Sequence, residues 1–427
     1  MRVSVIIPAW NLVELTAACL RSLAAHSAGA DLEVLVVDNG STDATPEALP
    51  PLGRELFGPG FRLLRMPENL GFARACNAGG QAATGEMLFF LNNDTLCTEG
   101  WLPPLLGAFK GRVGAVGPRL LYPDGRLQHC GITFSPFFRV GHLYEFFPGD
   151  HPVINRPRPL QAITGAALML PAQLFREAGG FFEGYRNGYE DMDLCLTLMA
   201  QGRKLAVAPE SRIIHYTSAT PGRFVHDTAN GELLMRRHGK HLKPDLHLLG
   251  RLDGYAMRLD AGLSCWLELP EGPAQELSAA TARADGDAVA EALTREPLWR
   301  AGWLRLMELR EAEGRPREAL AAGMQGLRFF PAPELAARLQ ALTQPQGELA
   351  EFAKDAAAIA AGLAPPTDPA RIAANRARLK AARRDAYSRG DTALAEVLSE
   401  ALSGQPQPES AQIAGKPTGP GCRPADA

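Results

Sequence analysis

Short apolar runs alternate with amphipathic segments in the first part of the chain. Buried strands are predicted at 2–7, 32–37, 61–65 and 86–91. Between them, 12–25 and 72–84 carry apolar or small residues at helical spacing, which predicts two helices. Strands that alternate with helices favour an α/β fold with a largely parallel sheet. Such sheets bind ligands at the carboxyl ends of their strands.

The pattern changes at 134–160, where six aromatic residues lie among several prolines: Phe134, Phe137, Phe138, Tyr144, Phe146 and Phe147. This composition predicts a long irregular loop, and loops of that length often act as lids or binding loops. The aromatics either form a binding surface or pack beneath the loop, and the sequence leaves both readings open. Beyond the loop, regular patterning returns at 161–170, strands are predicted at 204–207 and 212–215, and a helix is predicted after Asp191.

After about residue 245 the chain becomes rich in Ala, Leu, Arg and Glu at helical spacing. One stretch matches much of the tetratricopeptide pattern, through Trp303, Leu306, Gly314, Ala319 and Pro331. The preceding period keeps only Trp266, Ala292 and Pro297, so we expect a helical appendage that packs on the first domain or on neighbouring helices. Four regions are predicted: a domain at 1–240, a linker or helical connection at 241–279, an α-helical region at 280–402 and a disordered tail at 403–427.

Composition narrows the class of protein. The 427 residues are 46% hydrophobic, and 44 Lys and Arg face 47 Asp and Glu, for a net charge of -3. That balance gives no reason to expect a nucleic-acid partner. The seven cysteines are scattered without CxxC spacing, which favours a reducing cytoplasm over a disulfide or zinc framework. We find neither a signal peptide nor an apolar run long enough to span a membrane, and peripheral membrane contact stays open.

Polar residues follow three of the predicted strands. Pro8, Trp10 and Asn11 follow the first, where an aromatic ring can flank a base or cover the sheet edge. Asp38 ends the second, where it can accept a hydrogen bond from a nucleobase or ribose, or satisfy amides of the following turn. A loop with Asn69 and Gly71 then leads into a helix, where backbone amides can face an anion.

Two acidic segments carry the strongest signal. Asn92, Asn93 and Asp94 follow an apolar strand, so Asp94 can ligate Mg²⁺ or Mn²⁺ and Asn93 can meet a ribose, although a turn cluster is the plain alternative. Glu190 and Asp191 open an amphipathic helix, where a carboxylate can act as a base. Asp193 can simply cap that helix. His215 ends another predicted strand.

The order and spacing of these segments resemble the family 2 glycosyltransferases, over residues 3–240. The matching segments are VIIPAWN at 5–11, VVDNGSTD at 36–43, ENLGFA at 68–73 with Asn77, LNND at 91–94, EDMDLC at 190–195 and IIH at 213–215. The chain looks most like rhamnosyltransferase-like and O-antigen-type members. Such enzymes contribute to polysaccharide biosynthesis and the cell envelope.

The resemblance implies a GT-A fold, that is, a Rossmann-like mixed sheet with helices on both faces, and a metal-bound nucleoside-diphosphate sugar. It places Pro8, Asp38 and Asn77 near the nucleoside. It assigns Asp94 to the metal and His215 to the metal or the diphosphate. Asp191 is then the base, with Glu190 beside it. One departure is that Asn92 and Asn93 occupy positions where the family usually has acids. A single carboxylate binds a metal more weakly, so we expect His215 to contribute more than usual.

We therefore expect an inverting, metal-dependent transfer of a hexose or deoxyhexose to a hydroxyl of a glycan, lipid-linked or protein acceptor. We expect the protein in the cytoplasm or at the inner face of the membrane, with the C-terminal helices open to a protein partner. A nucleotidyltransferase is disfavoured because no glycine-rich phosphate loop follows the first strand. The remaining alternative is an inactive transferase-like domain that serves as a binding or scaffold protein. We also expect a chain truncated after about Lys240 to retain donor hydrolysis, provided that its core stays folded.

Overall fold

The computed structural model describes residues 1–217, 225–344, 346–363 and 367–403. The strands are β1 Val3–Ala9, β2 Leu32–Asp38, β3 Phe61–Arg65, β4 Met87–Leu91, β5 Thr95–Cys97, β6 Val113–Leu121, β7 Leu127–His129, β8 Ile132–Phe134, β9 Val140–His142, β10 Ala167–Pro171, β11 Lys204–His215, β12 Ala256–Leu259 and β13 Cys265–Glu268. The predicted disordered tail lies outside the described residues, except for its first residue, Ser403.

The helices of the first 240 residues are α1 Val13–Ala25, α2 Thr45–Phe57, α3 Phe72–Ala82, α4 Leu102–Gly107, α5 Ala172–Glu177, α6 Glu190–Ala200 and α7 Asp227–His238. The later helices are α8 Leu246–Leu252, α9 Glu271–Ala280, α10 Gly286–Arg295, α11 Arg300–Ala312, α12 Pro316–Phe329, α13 Pro333–Leu342, α14 Ala353–Leu363, α15 Pro369–Ser388 and α16 Thr392–Ser403. Within the described ranges, no helix is both long and apolar enough to cross a membrane.

The main sheet is mixed, with strand order β3-β2-β1-β4-β10-β6-β11-β5 and β7 added beside β6. The first four strands of this order run parallel, as the sequence predicts. β10 then enters antiparallel between β4 and β6. Its first residue, Ala167, pairs with Leu91, the last residue of β4. The start of β10 therefore lies at the same sheet edge as the ends of β1 and β4.

Both faces of the sheet are buried. Val5 and Ile7 pack on one face with apolar residues of α1, while Ile6 points to the other face with α3, α5 and α6. This alternation follows from the two-residue repeat of a strand. The expected α/β class, with helices on both faces of a mixed sheet, is confirmed.

Three local predictions differ from the structure. Helix α2 was not predicted, because Pro50 and Pro51 lie inside it and interrupt the usual helical pattern. The two strands predicted at 204–207 and 212–215 form the single strand β11, which has an irregular register between Ala208 and Arg212. The predicted connection 241–279 contains the antiparallel hairpin β12–β13, and Trp266 lies in that hairpin instead of in an earlier helical repeat.

Helices α11 and α12 form the helical hairpin that the repeat-like pattern predicts. Gly314 has a φ of 71° at the turn between them, a conformation that favours glycine. A Cβ at Gly326 would lie 2.7 Å from Leu335 Cδ1 and 2.9 Å from Trp303 Cβ. A larger residue at 326 would therefore push apart α11, α12 and α13.

The 134–160 loop is held between the sheet domain and the C-terminal helices. Phe147 is 1% exposed, and its ring lies 4.9 Å from the Tyr144 ring and 5.7 Å from the Phe329 ring of α12. The Tyr144 hydroxyl donates to Asp253 Oδ2 at 2.6 Å, and Arg158 pairs with the same oxygen. Tyr144 is thus a packing residue, and the reading of it as part of a binding surface is wrong.

One hydrophobic cluster runs across the predicted boundary at 240, because loop residues such as Phe147 and Val153 share it with residues of α10 to α16. Asp245 also joins the two sides of this boundary through buried hydrogen bonds. Its carboxylate accepts from the Phe134 backbone N–H at 2.7 Å and from Gln161 Nε2 at 2.6 Å. Burial raises the pKa of Asp245 to about 6, partly offset by these hydrogen bonds. A chain cut at 240 would lose the Asp245 hydrogen bonds and expose the apolar residues of the loop, which argues against the condition that its core stays folded.

Candidate active site

A cavity opens at the sheet edge where β1 and β4 end and β10 begins. Its walls come from six places in the chain: Pro8, Ala9, Trp10 and Leu12; Asn39; Asn69 and Phe72; Asn92, Asn93 and Asp94; and the two stretches 164–166 and 187–191, without Tyr189. Seven of the predicted site residues meet here: Pro8, Trp10, Asn69, Asn93, Asp94, Glu190 and Asp191. Asn11, Asp38, Gly71, Asn77 and His215 do not line it.

Asp94 and His215 lie together although they are far apart in sequence. β5 and β11 pair side by side, and this places His215 Nε2 3.1 Å from Asp94 Oδ1. Both side chains are buried, at 3% and 8% exposed for His215 and Asp94 respectively. Only Asp94 reaches the cavity wall, with His215 behind it.

Gln128 fixes the tautomer of His215. Its amide N–H donates to the His215 carbonyl at 3.0 Å, so its oxygen, 2.6 Å from His215 Nδ1, must accept the Nδ1 proton. In the neutral imidazole, Nε2 then carries a lone pair, which faces Asn92 Nδ2 at 3.3 Å as well as Asp94 Oδ1 at 3.1 Å. Two acceptors at this distance repel unless a cation, either a proton or a metal ion, lies between them.

Asp191 and Glu190 line the same cavity from the start of α6. Asp191 Oδ2 accepts from the Gly165 backbone N–H at 2.7 Å, and Oδ1 accepts from the Met192 N–H at 2.8 Å. Glu190 is 4% exposed, and its Oε2 accepts from the Gly188 N–H at 2.7 Å. Asp191 is the less buried of the two, so its carboxylate is the more accessible to a ligand.

The loop that precedes Glu190 and Asp191 has an unusual backbone conformation. Asn187, Gly188 and Tyr189 all have positive φ, at 51°, 142° and 78°. Such conformations are costly for non-glycine residues and persist only when their surroundings fix them. Asn230 of α7 supplies part of that support, because its side-chain amide donates to the carbonyls of Arg186 and Gly188.

Sequence reasoning missed the segment 164–166, which precedes β10. The Thr164 N–H donates to His129 Nε2, the Gly165 N–H to Asp191, and the Ala166 carbonyl accepts from the Asn92 N–H. Burial, with the nearby charges of two other histidines, lowers the pKa of His129 well below its ordinary value, which keeps it neutral and able to accept. The antiparallel entry of β10 brings this segment to the site, and no local sequence signal reveals it.

Asn39 is a second residue that was missed, although it lies within a motif already noted. Its Nδ2 donates to Asn69 Oδ1 at 2.9 Å, and its Oδ1 accepts from the Leu70 N–H at 2.9 Å. Asn69 in turn accepts from the Gly71 N–H at 3.0 Å. The Gly71 amide is therefore used inside the loop, which corrects its predicted contact with an anion. Asn39 holds one wall of the cavity in place.

Three other predicted nucleotide contacts stabilise loops instead of lining the cavity. Asn11 Oδ1 accepts from the Thr42 N–H at 2.8 Å, which ties together the loops after β1 and β2. Asn77 exchanges two hydrogen bonds with the Phe181 backbone and donates a third to Glu183. Asp38 is fully buried and accepts from the Ser41 N–H, while its buried Oδ2 accepts no hydrogen bond from the described residues.

A model of the family Glycosyl transferase family 2 matches residues 4–146, which include β1, β4 and the Asp94 segment. The chain carries a family 2 glycosyltransferase domain. Together with the mixed sheet, this match gives the domain the GT-A fold. The match ends before Asp191, so the assignment of the second acidic segment depends on the geometry above.

Two relatives and one solved structure illustrate how similar the chain is to known proteins. The O-antigen biosynthesis protein RfbC of Myxococcus xanthus is 32% identical over 228 residues, which are 51% of this chain and 18% of RfbC. The N-acetylglucosaminyl-diphospho-decaprenol L-rhamnosyltransferase of Mycobacterium tuberculosis is 29% identical over 45% of this chain and 69% of the relative. The structure of GalNAc-T7 with UDP, GalNAc and Mn²⁺ aligns with a TM-score of 0.43 and 18% identity, over 50% of this chain and 44% of that one. The chain covers under a third of the length of the first two curated relatives it matches.

The corrected position of Asn77 can be tested against Asn39. Asn77→Ala leaves the buried Phe181 N–H and C=O without partners, so the free energy of unfolding should fall by roughly 2 kcal/mol or more, while nucleoside-diphosphate affinity stays unchanged. Asn39→Ala should weaken that affinity by about tenfold because it frees the 69–71 loop. Urea unfolding and calorimetric titration measure the two effects. Weaker nucleotide binding by a stable Asn77→Ala protein would return Asn77 to the binding site.

Proposed function

We propose that the chain is a glycosyltransferase that moves a sugar from a nucleoside-diphosphate sugar to an acceptor hydroxyl, with inversion at the anomeric carbon. The observation that carries the proposal is that Asp94, backed by His215, and Asp191 line one cavity, and that Asp94 belongs to the residues that the family 2 model matches. Inverting transfer needs charge neutralisation at the leaving group and a base on the acceptor side. In this cavity, Asp94 is proposed for the charge neutralisation and Asp191 for the base.

The Asp94 wall fits a divalent cation. Among the described residues, no three His, Cys, Asp or Glu side chains converge as a complete metal cage. Mg²⁺ sites in nucleotide enzymes commonly use one or two protein ligands and substrate phosphates, which suits a single carboxylate with a histidine behind it. Asp94 and His215 would hold the ion. When bound, it would supply neutralising charge to the departing diphosphate.

Asp191 is placed to act as the base. Backbone amides of Gly165 and Met192 hold both of its oxygens in a fixed orientation, and the side chain lines the cavity. A positioned carboxylate of this kind removes the hydroxyl proton as the new bond forms. Glu190 is more deeply buried and supports the loop through Gly188. We therefore assign Glu190 to positioning and Asp191 to proton transfer.

The nucleoside is proposed to lie between Trp10 and Asn69, with Pro8 and Asn93 along the cavity floor. Trp10 is 40% exposed at the rim, where its ring can stack on a base. Asp38 can contact the nucleoside only if the loop that covers it moves. Its Oδ2, which lies 3.8 Å from Arg65 Nε but accepts no hydrogen bond from the described residues, would then gain a hydrogen-bond donor.

The relatives support a deoxyhexose or hexose donor and a polysaccharide role, since the names of two of them refer to O-antigen biosynthesis and L-rhamnosyl transfer. A lipid-linked acceptor fits the second name best, and it would bring the enzyme to a membrane surface. We propose residues 1–240 as the catalytic unit and 280–402 as an accessory unit that packs on it. No relative supports a protein partner for the C-terminal helices, and the tail from 404 has no assigned role.

Asp94→Ala should abolish Mn²⁺-dependent nucleoside-diphosphate binding because it removes the carboxylate on the metal wall. Calorimetric titration with and without Mn²⁺ measures this, and the thermal melt shows that the protein remains folded. Asp31→Ala is the matched control, because Asp31 is exposed just before β2, at the opposite end of the strands. A folded Asp94→Ala protein with undiminished metal-dependent affinity would contradict the assignment.

Asp191→Asn should lower the rate of sugar transfer by about a hundredfold or more, the usual effect of losing a general base, while donor affinity is kept. Glu190→Gln is the paired variant and should disturb the 187–189 loop, with an effect on acceptor affinity and stability as well as on rate. Steady-state kinetics with both substrates separates these effects. If Glu190→Gln abolishes turnover while Asp191→Asn retains it, the two roles are exchanged.

A further inference from the structure

Helix α15 differs in charge from the rest of the chain. Its twenty residues contain six cationic side chains and one acidic side chain, although the whole protein carries a net charge of -3. The cationic residues are Arg371, Arg376, Arg378, Lys380, Arg383 and Arg384. The one acid, Asp385, pairs with Arg389 at 2.7 Å. None of the six cations has an ion-pair partner among the described residues.

The inner face of α15 is firmly attached. Leu379 and Ala386 are buried in the C-terminal hydrophobic cluster, and Asn375 Nδ2 donates to the Ala261 carbonyl at 3.0 Å. Arg378 lies over the Phe137 ring, 5.4 Å from its centroid, which joins the helix to the 134–160 loop. The cations are therefore fixed on a folded surface, and their orientation does not depend on a flexible segment.

The outer face forms one continuous row. Ile372, Arg376, Lys380, Arg383 and Tyr387 follow each other at spacings of three and four residues, which places them along one side of the helix. Ile372 is 45% exposed and Tyr387 58% exposed. Three cations thus lie between an exposed aliphatic and an exposed aromatic side chain.

Like charges at these spacings weaken an isolated helix. The six cations of α15 have no ion-pair partner among the described residues, and residues 404–427 contain two acids and two bases and bring no excess negative charge. An anionic partner molecule would offset the repulsion between them.

We propose that the outer row of α15 docks on an anionic membrane surface. Cations attract lipid phosphates across such a surface, while a tyrosine and an isoleucine at its ends suit the boundary between headgroups and acyl chains. A nucleic acid would also match the charge but would gain nothing from exposed Ile372. This docking requires no sugar transfer, so it stands or falls separately from the proposed reaction.

Co-sedimentation of the full chain with vesicles tests the proposal. The protein should bind vesicles of phosphatidylcholine mixed with phosphatidylglycerol, ignore pure phosphatidylcholine, and dissociate at high salt. The triple variant Arg376→Gln, Lys380→Gln, Arg383→Gln should partition about a hundredfold more weakly, from the typical contribution of each cation near a charged surface. Ile372→Ala with Tyr387→Ala should weaken binding by about tenfold.

The matched control removes equal charge elsewhere. Arg21, Lys110 and Arg112 are exposed, belong to the sheet domain and have no ion pair among the described residues. Their triple glutamine variant should bind vesicles like the wild type, with thermal melts confirming that all variants fold. The proposal is overturned if the wild type ignores anionic vesicles or binds both lipids equally. Equal losses in the two triple variants would also overturn it, as would tight binding to single-stranded DNA that is unaffected by the Ile372 and Tyr387 substitutions.

Discussion

The pairing of β4 with β1 on one side and β10 on the other determines where the site lies. Because β1 and β4 are parallel and β10 is antiparallel, two strand ends and one strand start meet at the same edge. Polar residues that directly follow β1 and β4, or directly precede β10, therefore lie at that edge. Apart from Ser4 in β1, the residues of these strands are apolar and pack on both faces of the sheet, so this register cannot slip without exposing the core.

The walls of the cavity are held by residues that do not touch it. Gln128 orients His215 behind Asp94, and His129 holds the backbone of Thr164, whose neighbour Gly165 holds Asp191. Asn230 supports the strained loop before α6. The first two supports come from β7, a short strand at the side of the sheet, so that strand stabilises both acidic walls at once. Preorganisation of this kind keeps catalytic groups in place without a cost at the moment of reaction.

Much of the site could be predicted from the sequence, because residues that directly follow a strand remain at the end of that strand when the sheet forms. Pro8, Trp10, Asn69, Asn93, Asp94, Glu190 and Asp191 were predicted and do line one cavity. The segment 164–166 could not be predicted, because it depends on β10 running antiparallel, and hydrophobic pattern does not show strand direction. Asn11 and Asn77 were misplaced because their amides bind backbone groups of loops that are distant in sequence. The hairpin β12–β13 was not predicted because the composition of its region favours helices.

The most direct test of the account is a thermal-shift screen of the full chain against nucleoside-diphosphate sugars, with and without Mn²⁺. A ligand that binds only the native state raises its stability, by about 2.7 kcal/mol at a hundred times its dissociation constant. The account predicts that at least one such sugar raises the melting temperature by several degrees with Mn²⁺ and by much less without it. If no nucleoside-diphosphate sugar changes the melting temperature in either condition, the cavity is not a donor site and the proposed transfer is wrong.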